Sequence, residues 1–227
     1  LISGADQPEY TGLFVVNSPG SATFSITVPG APETPATGRI VCRQVIDSGQ
    51  SGWSWFSAAD GFGSSLELVN PALPNDVGQN WLASGMPDGT PGRANSVLSS
   101  NVAPFILEVT HFPPVPRSTD SVTISARVSD AQSNGVQSVT LFYRNHTTTS
   151  PGPFASTNMF DDGAHDDGGP RDGLYAATLG PQANRNVMEF YVEAMGPSGL
   201  IRTWPAATWE TNNTFAQLAN ALYQVDD

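Results

Sequence analysis

The chain has 227 residues, of which only 13% are charged, and 21 acidic against 9 basic side chains give a formal net charge of −12. All of the basic residues are arginines, and they form no cluster. This balance argues against nucleic acid and against anionic membrane surfaces, because both are bound through grouped basic side chains. The single cysteine excludes an internal disulfide, and no apolar run reaches the roughly 18 residues of a membrane-spanning helix.

Turn-forming residues recur about every eight to twelve positions, which is typical of an all-β sandwich or barrel. Between them lie short runs rich in Val, Ile, Thr and Phe, the residues that strands favour. In the first half of the chain, this pattern predicts strands at residues 13–16, 22–28, 39–46 and 64–69. Cys42 lies in an apolar run of the third strand, so we expect a small buried side chain there rather than a reactive thiol.

A domain boundary is predicted near residues 97–104, after a Gly-Thr-Pro-Gly turn and a polar stretch. Beyond it, regular alternation of apolar and polar residues predicts strands at 105–112, 121–129, 137–144, 173–179, 186–195 and 200–204. In the second of these strands, Val122, Ile124, Ala126 and Val128 share one face, as in an antiparallel sheet with one buried side. Six strands in about 100 residues favour an immunoglobulin-like sandwich.

The C-terminal end has a different pattern. Phe215, Leu218 and Leu222 have the spacing of one face of a short helix, which predicts a helix over residues 214–223. The chain as a whole is predicted to be all-β, with two immunoglobulin-like β-sandwich modules in tandem and a short C-terminal tail. The modules are predicted at residues 1–98 and 99–208, and the tail or linker at 209–227.

Three motifs in the first predicted module carry a family resemblance. They are D-G-x-G-x-S-L-E-L at residues 60–68, N-W-x-x-S at 80–84 and G-T-P-G-x-x-N-S at 89–96. Together they resemble the C-terminal half of a bacterial lamin-tail domain, which implies an immunoglobulin-like sandwich for this module. Residues 1–38 show no matching front half.

Two later stretches resemble parts of large secreted bacterial proteins. Residues 160–175 are similar to the D-D-G…D…G-D-G-x-Y loop of their immunoglobulin-like modules, with Arg171 where the family has a glycine. Residues 219–227 resemble the segment that precedes a CotH-type, spore-coat kinase-like domain. The resemblance therefore covers roughly residues 39–227 and implies a lamin-tail module, an immunoglobulin-like module and a junction.

Five carboxylates crowd one short stretch of the second module: Asp161, Asp162, Asp166, Asp167 and Asp172. Such crowding is repulsive unless a cation lies among the carboxylates. Asp oxygens on a tightly turning, glycine-containing backbone are the hard ligands that Ca²⁺ prefers. We therefore predict a structural Ca²⁺ site at these five residues. The alternative is a solvated hairpin loop in which the Asp-Gly pairs only make turns.

A second candidate site contains Trp53 and Trp55, which lie in a Gly/Ser-rich stretch. Exposed aromatic rings there would stack on sugar rings; the alternative is that they pack within the core or between domains. The three histidines have no zinc-binding spacing. Glu67 and Glu108 are a candidate glycosidase pair only by elimination.

Other catalytic classes lack their residues. The sequence has no G-x-S-x-G motif and no phosphate-binding glycine loop with its lysine. Because it has no lysine at all, it cannot form a lysine Schiff base. These observations favour a protein that is not an enzyme.

We therefore predict a non-catalytic accessory region of a secreted or cell-surface bacterial multidomain protein. It would serve adhesion, spacing or presentation, would be stabilised by Ca²⁺, and would meet a protein or a glycan at a cell surface. The start at Leu1, without a basic leader, leads us to expect a processed form or a fragment.

Three alternatives remain open at this stage. The chain could be the docking region of a CotH-type kinase-like domain in the same polypeptide. It could be a carbohydrate-binding module that uses Trp53 and Trp55. It could also be a surface-layer or filament subunit that assembles through unpaired sheet edges.

Overall fold

A computed structural model describes residues 2–10, 25–28, 30, 32, 34–42, 59, 61–130, 135–146, 151–209, 215–217 and 219–227. The chain divides into two compact units, which are residues 1–48 with 55–99 and residues 49–54 with 100–227. The described residues lie almost entirely in antiparallel strands and their connections, which confirms the all-β prediction.

Two short antiparallel sheets are described in the first unit. In the first sheet, β1 (Ile2–Ala5) pairs with β2 (Gly38–Cys42), and in the second, β3 (Ser64–Leu68) pairs with β4 (Trp81–Pro87). The structure confirms the predicted strands at β2 and β3. β1 and β4 were not predicted; β4 contains a glycine and ends in a proline, residues that the sequence analysis took as turn signals.

Part of the prediction for the first unit falls on residues that are not described. The predicted strand at 13–16 lies outside the described residues, as do 22–24 and 43–46. Within 25–28, Ile26 forms an isolated bridge and no strand is present.

The second unit contains the longer strands. They are β5 (Phe105–Phe112), β6 (Val122–Ser129), β7 (Ser138–Asn145), β8 (Ala155–Asn158), β9 (Leu174–Leu179), β10 (Val187–Met195), β11 (Ile201–Trp204), β12 (Thr208–Trp209), β13 (Phe215–Ala216) and β14 (Ala221–Gln224). One sheet has the order β5-β6-β9, and a larger sheet has the order β11-β10-β7-β8, with β14 also on β10. The pair β12-β13 is separate. All six strands predicted for this half are present.

One hydrophobic core joins the two larger sheets of the second unit. The inward residues predicted for β6 are all buried, and those of β7 and β10 pack against them in the same cluster. Every second residue of these strands therefore faces the core, as the alternation predicted. The members with almost no exposed surface are Ile106, Val122, Ile124, Ala126, Leu141, Val192 and Ala194.

The predicted helix over residues 214–223 is wrong. Residues 215–216 form β13, and β14 pairs antiparallel with the first half of β10, in a register that joins Met188 to Tyr223. Tyr223 is 3% exposed and Val225 is 1% exposed, and both belong to the core. The two buried residues are two positions apart, which is the spacing of a strand. The structure follows this spacing and not the helical spacing of Phe215, Leu218 and Leu222.

The first unit is held by buried polar side chains that coincide with its three motifs. Both carboxylate oxygens of Glu67 are bound: Thr90 Oγ1 donates to one at 2.5 Å, and the N–H and Oγ of Ser96 donate to the other, each at 2.6 Å. Asn80 accepts the N–H of Asn70 and donates to its carbonyl. The hydrogen bonds of the motif residues thus connect β3, β4 and the segment that follows β4.

Gly89 shows why one motif requires a glycine. Its φ is +76°, and a Cβ at this position would lie 2.3 Å from Oγ of Ser65. Any side chain would therefore both strain the backbone and displace β3 from the turn.

Replacing the Tyr223 hydroxyl tests the packing of β14. Burial, and next the neighbouring Tyr143, raise the pKa of Tyr223 to about 12, and the hydroxyl has no hydrogen-bond partner among the described residues. Tyr223→Phe removes an unsatisfied buried donor, so we expect unchanged or slightly higher stability in urea denaturation, by up to about 1 kcal/mol. Tyr223→Ala leaves a cavity and should cost about 3–5 kcal/mol. Equal losses for both variants would contradict this role for the ring.

Protonation of Glu67 at acidic pH should lower the stability of the first unit. Burial acts to raise the pKa of Glu67, but the hydrogen bonds from Ser96 and Thr90 outweigh it and hold the pKa below its ordinary value. The carboxylate therefore contributes stability above its ordinary pKa, and this contribution is lost as the pH falls through the lower, folded-state pKa. Amide signals of β3 and β4, followed in urea between pH 7 and pH 3, should show this loss. Glu67→Gln should flatten the dependence, whereas Asp76→Asn, at an exposed carboxylate of the same unit, should preserve it.

Candidate functional site

The acidic loop, residues 159–173, joins β8 to β9 in the second unit. Its ends are held together where Phe160 and Ala176 exchange two backbone hydrogen bonds of 2.9 Å. Asp161 reinforces this neck, because its two oxygens accept the N–H groups of Asp172 and Gly173, each at 3.0 Å. Backbone hydrogen bonds thus hold the two ends of the loop together, and the carboxylate of Asp161 adds to them.

Asp167 is the buried centre of the acidic loop, with 0% of its surface exposed. Its carboxylate accepts backbone N–H groups from Gly163 at 2.9 Å, from His165 at 3.1 Å and from Asp162. Burial acts to raise the pKa of Asp167, but these hydrogen bonds, led by that of Gly163, lower it below its ordinary value. The charge is therefore compensated by backbone dipoles rather than by a basic side chain.

The remaining carboxylates of the loop face outward. Asp162 accepts the N–H of Ala164 and lies 2.9 Å from Nδ1 of His165, and these hydrogen bonds, His165 first, lower its pKa. Asp172 accepts the N–H groups of Gly169 and Leu174, which also lower its pKa. Asp166 is exposed and has a left-handed backbone, with φ at +59°. The structure therefore keeps all five predicted residues in one loop, where four of them accept different backbone N–H groups and Asp166 accepts from Oγ1 of Thr123 at 3.4 Å.

The carboxylates of the loop are engaged in backbone hydrogen bonds. Both oxygens of Asp161, Asp167 and Asp172 accept backbone N–H groups of the loop. In the described part of the chain, no group of three or more Asp, Glu, His or Cys side chains is placed to hold a metal ion. The Ca²⁺ site therefore stays a prediction.

A cavity of about 380 Å³ lies beside the acidic loop. The start of β7, the end of β8 and the side chains of Asp161, Asp162 and Arg171 line it, together with Tyr175 of β9. Burial, and next the negative charge of Asp161, raise the pKa of Tyr175. The carboxylates of this site are visible in the sequence, but the cavity is not, because it also needs residues 136–139, which the pairing of β7 with β8 brings to the loop.

Four other residues were singled out from the sequence. Trp53 and Trp55 lie outside the described residues. Glu67 accepts hydrogen bonds within the first unit, among them one from Oγ of Ser96. Glu108 forms an ion pair with Arg127, at 2.8 Å, on the surface of the second unit. A glycosidase pair therefore has no support from their contacts.

A buried ion pair on the outer face of the larger sheet was missed by the sequence analysis. Glu189 of β10 receives two hydrogen bonds from Arg144 of β7, at 2.7 Å and 3.2 Å, and one from Asn220. The guanidinium of Arg144 also lies 4.1 Å from the ring centre of Phe154. This cluster ties residue 220, just before β14, to the sheet. Its members are far apart in the sequence, and no local pattern marks them.

Neither a family model nor a curated protein matches this sequence. Among the described residues, no helix has the length and apolar character needed to cross a bilayer. The resemblance to lamin-tail and immunoglobulin-like modules therefore stays a prediction.

The acidic loop can be tested for its source of stability. Asp167→Asn exchanges the buried charge for an amide that cannot accept all three N–H groups, so we expect the melting temperature to fall by about 5 °C or more. Asp166→Asn, at an exposed position where asparagine tolerates the left-handed backbone, should have little effect. Differential scanning calorimetry of the wild type in EDTA and in Ca²⁺ tests the metal prediction, which expects EDTA to lower the melting temperature and Ca²⁺ to restore it. The same transition in both solutions would contradict the metal prediction.

Proposed function

We propose that this chain is a non-catalytic accessory region of a secreted or cell-surface protein, and that its second unit is a load-bearing spacer. The observation that carries the proposal is the position of its two ends. β5, the first strand of the sandwich, begins at one end, and Asp227 lies at the opposite end.

The pairing of the strands locates these two ends. β5 begins at Phe105, which pairs with Ser129, and finishes at Phe112, which pairs with Thr123. Asp227 binds the N–H and Oγ of Ser118, in the connection that follows β5. Eight residues of extended chain separate the two ends by about 26 Å. A unit of this kind holds neighbours apart along its long axis.

Each end is fastened by a charged side chain. At the first end, Arg202 of β11 is 2% exposed and donates to the carbonyls of Pro104 and Ala103, at 2.7 Å and 3.4 Å. Burial lowers the pKa of Arg202 to about 10, so the guanidinium keeps its charge at neutral pH. At the other end, the carboxylate of Asp227 has its oxygens 2.6 Å from N and 2.7 Å from Oγ of Ser118. These contacts resist separation of the terminal segments from the sandwich.

The terminal strands are also oriented to carry load. β5 pairs with β6, and β14 pairs with β10, in both cases along the axis that joins the two ends. A force applied between the ends therefore acts parallel to these strands, and their hydrogen bonds share it. A force applied across the strands would break the same bonds one after another.

Single-molecule pulling of the full chain tests the spacer function. Handles at the two chain termini load β5 and β14 lengthwise, so we expect the second unit to unfold at a force several-fold higher than in the control geometry. The control places one handle at Gly180→Cys, in a Cys42→Ser background, and the other at Asp227. Gly180 follows the end of β9 and lies at the same end of the sandwich as Asp227, so this geometry peels β14 away.

The comparison of the two geometries decides the proposal. Equal forces would overturn the load-bearing role, because the direction of the terminal strands would then have no mechanical effect. Arg202→Ala should lower the lengthwise force and leave the peeling force unchanged, since Arg202 holds only the first end.

A further inference from the structure

The cavity beside the acidic loop lies at the end of the second unit where β5 begins, next to the start of β7 and the start of β9. Its lining includes Val139 and Met159, which are buried. Two aromatic residues also line it: Tyr175 is half-buried, and Phe160, whose ring stacks on that of His165 at 4.4 Å, is 41% exposed. Apolar residues with a small number of polar groups around them are the usual composition of a small-molecule site, and about 380 Å³ lies near the lower end of the usual size range.

The rim of the cavity supplies both hydrogen-bond donors and acceptors. Gln137 and Asn158 contribute side-chain amides, which donate and accept, and Asp162 contributes a carboxylate. Arg171 contributes a guanidinium with five N–H donors. Within the described part of the chain, the side chains of Gln137, Asn158 and Arg171 make no hydrogen bond or ion pair, so all three can serve a ligand.

The charges at the rim favour a neutral ligand. Asp161 and Asp162 repel an anion, and Arg171 opposes a cation at the same rim. A neutral molecule with many hydroxyl groups can donate to the carboxylate and accept from the guanidinium and the amides. A sugar ring also has an apolar C–H face that packs on an aromatic ring.

We propose that this cavity is a binding site for a neutral saccharide. Arg171 and Asn158 donate to its hydroxyl groups, Asp162 accepts from them, and the C–H face of the ring lies over Phe160 or Tyr175. The site adds a recognition function to the spacer, and it can fail without affecting the spacer function.

Arg171 permits a clean test of the site. Its φ is +63°, a left-handed backbone that glycine adopts without strain, so Arg171→Gly removes the guanidinium without disturbing the loop. Arg185 is a matched control: it is exposed, has a φ of +70°, and lies outside the cavity lining. Both variants should fold with unchanged or slightly raised melting temperatures.

The experiment is ligand-observed NMR and calorimetric titration of the full chain in EDTA. The probes are the methyl glycosides of glucose, galactose, mannose and N-acetylglucosamine, together with cellobiose and maltose. We expect saturable binding of at least one probe, weakened about tenfold or more by Arg171→Gly and by Asn158→Ala, and unchanged in Arg185→Gly.

Three results would overturn the proposal. The first is that no probe binds. The second is that Arg171→Gly binds as the wild type does. The third is that Trp53→Ala with Trp55→Ala abolishes binding while Arg171→Gly leaves it intact, because the binding would then belong to the aromatic pair.

Discussion

Carboxylates that accept hydrogen bonds from backbone N–H groups hold the connections of both units in place. Glu67 binds the segment after β4, Asp161 and Asp167 organise the acidic loop, and Asp227 binds Ser118. The chain has 21 acidic residues and only 9 basic ones, so most carboxylates have no basic partner. Backbone N–H groups in turns take that place, because a carboxylate oxygen forms a stronger hydrogen bond with them than a neutral acceptor does. The acidic side chains therefore stabilise the connections of the fold as well as giving the surface its negative charge.

β10 is the second constraint on which the fold of the second unit depends. It pairs with β7 along eight residues, and on its other edge it pairs with β14 and then with β11. Its inward residues lie at the centre of the core. The same strand also carries Glu189, whose hydrogen bonds with Arg144 and Asn220 secure the outer face. One strand thus connects the core, the outer face and the last segment of the chain.

Much of the second unit could be predicted from sequence, because its long strands repeat a pattern of two over many residues. Val122 to Val128 is the clearest example, and all four predicted inward residues are buried. β14 could not be predicted in this way, since only Tyr223 and Val225 show its spacing. β8 escaped prediction because the residues of Ala155–Asn158 are polar or small, and its place depends on β7.

The candidate site was predictable only in part. The crowding of Asp161 to Asp172 is visible in the sequence, and it marks the loop correctly. The direction of each carboxylate is not visible, because it depends on which backbone N–H groups the turns present. The cavity also needs Gln137, which comes near the loop because β7, the strand that follows it, pairs with β8.

The two half-strands on one edge of β10 have a consequence for how the protein tolerates change. β11 and β14 pair with successive halves of one edge of β10. The described part of the connection between them includes the separate pair β12-β13. Two hydrogen bonds hold this connection: Gln217 donates to the carbonyl of Pro205, and Asn220 donates to Glu189. The pairing of β11 and β14 with β10 does not use the outer part of this connection. The length and sequence of the connection can therefore vary while the pairing stays intact. The connection is a natural position for grafting a foreign peptide or a whole inserted domain.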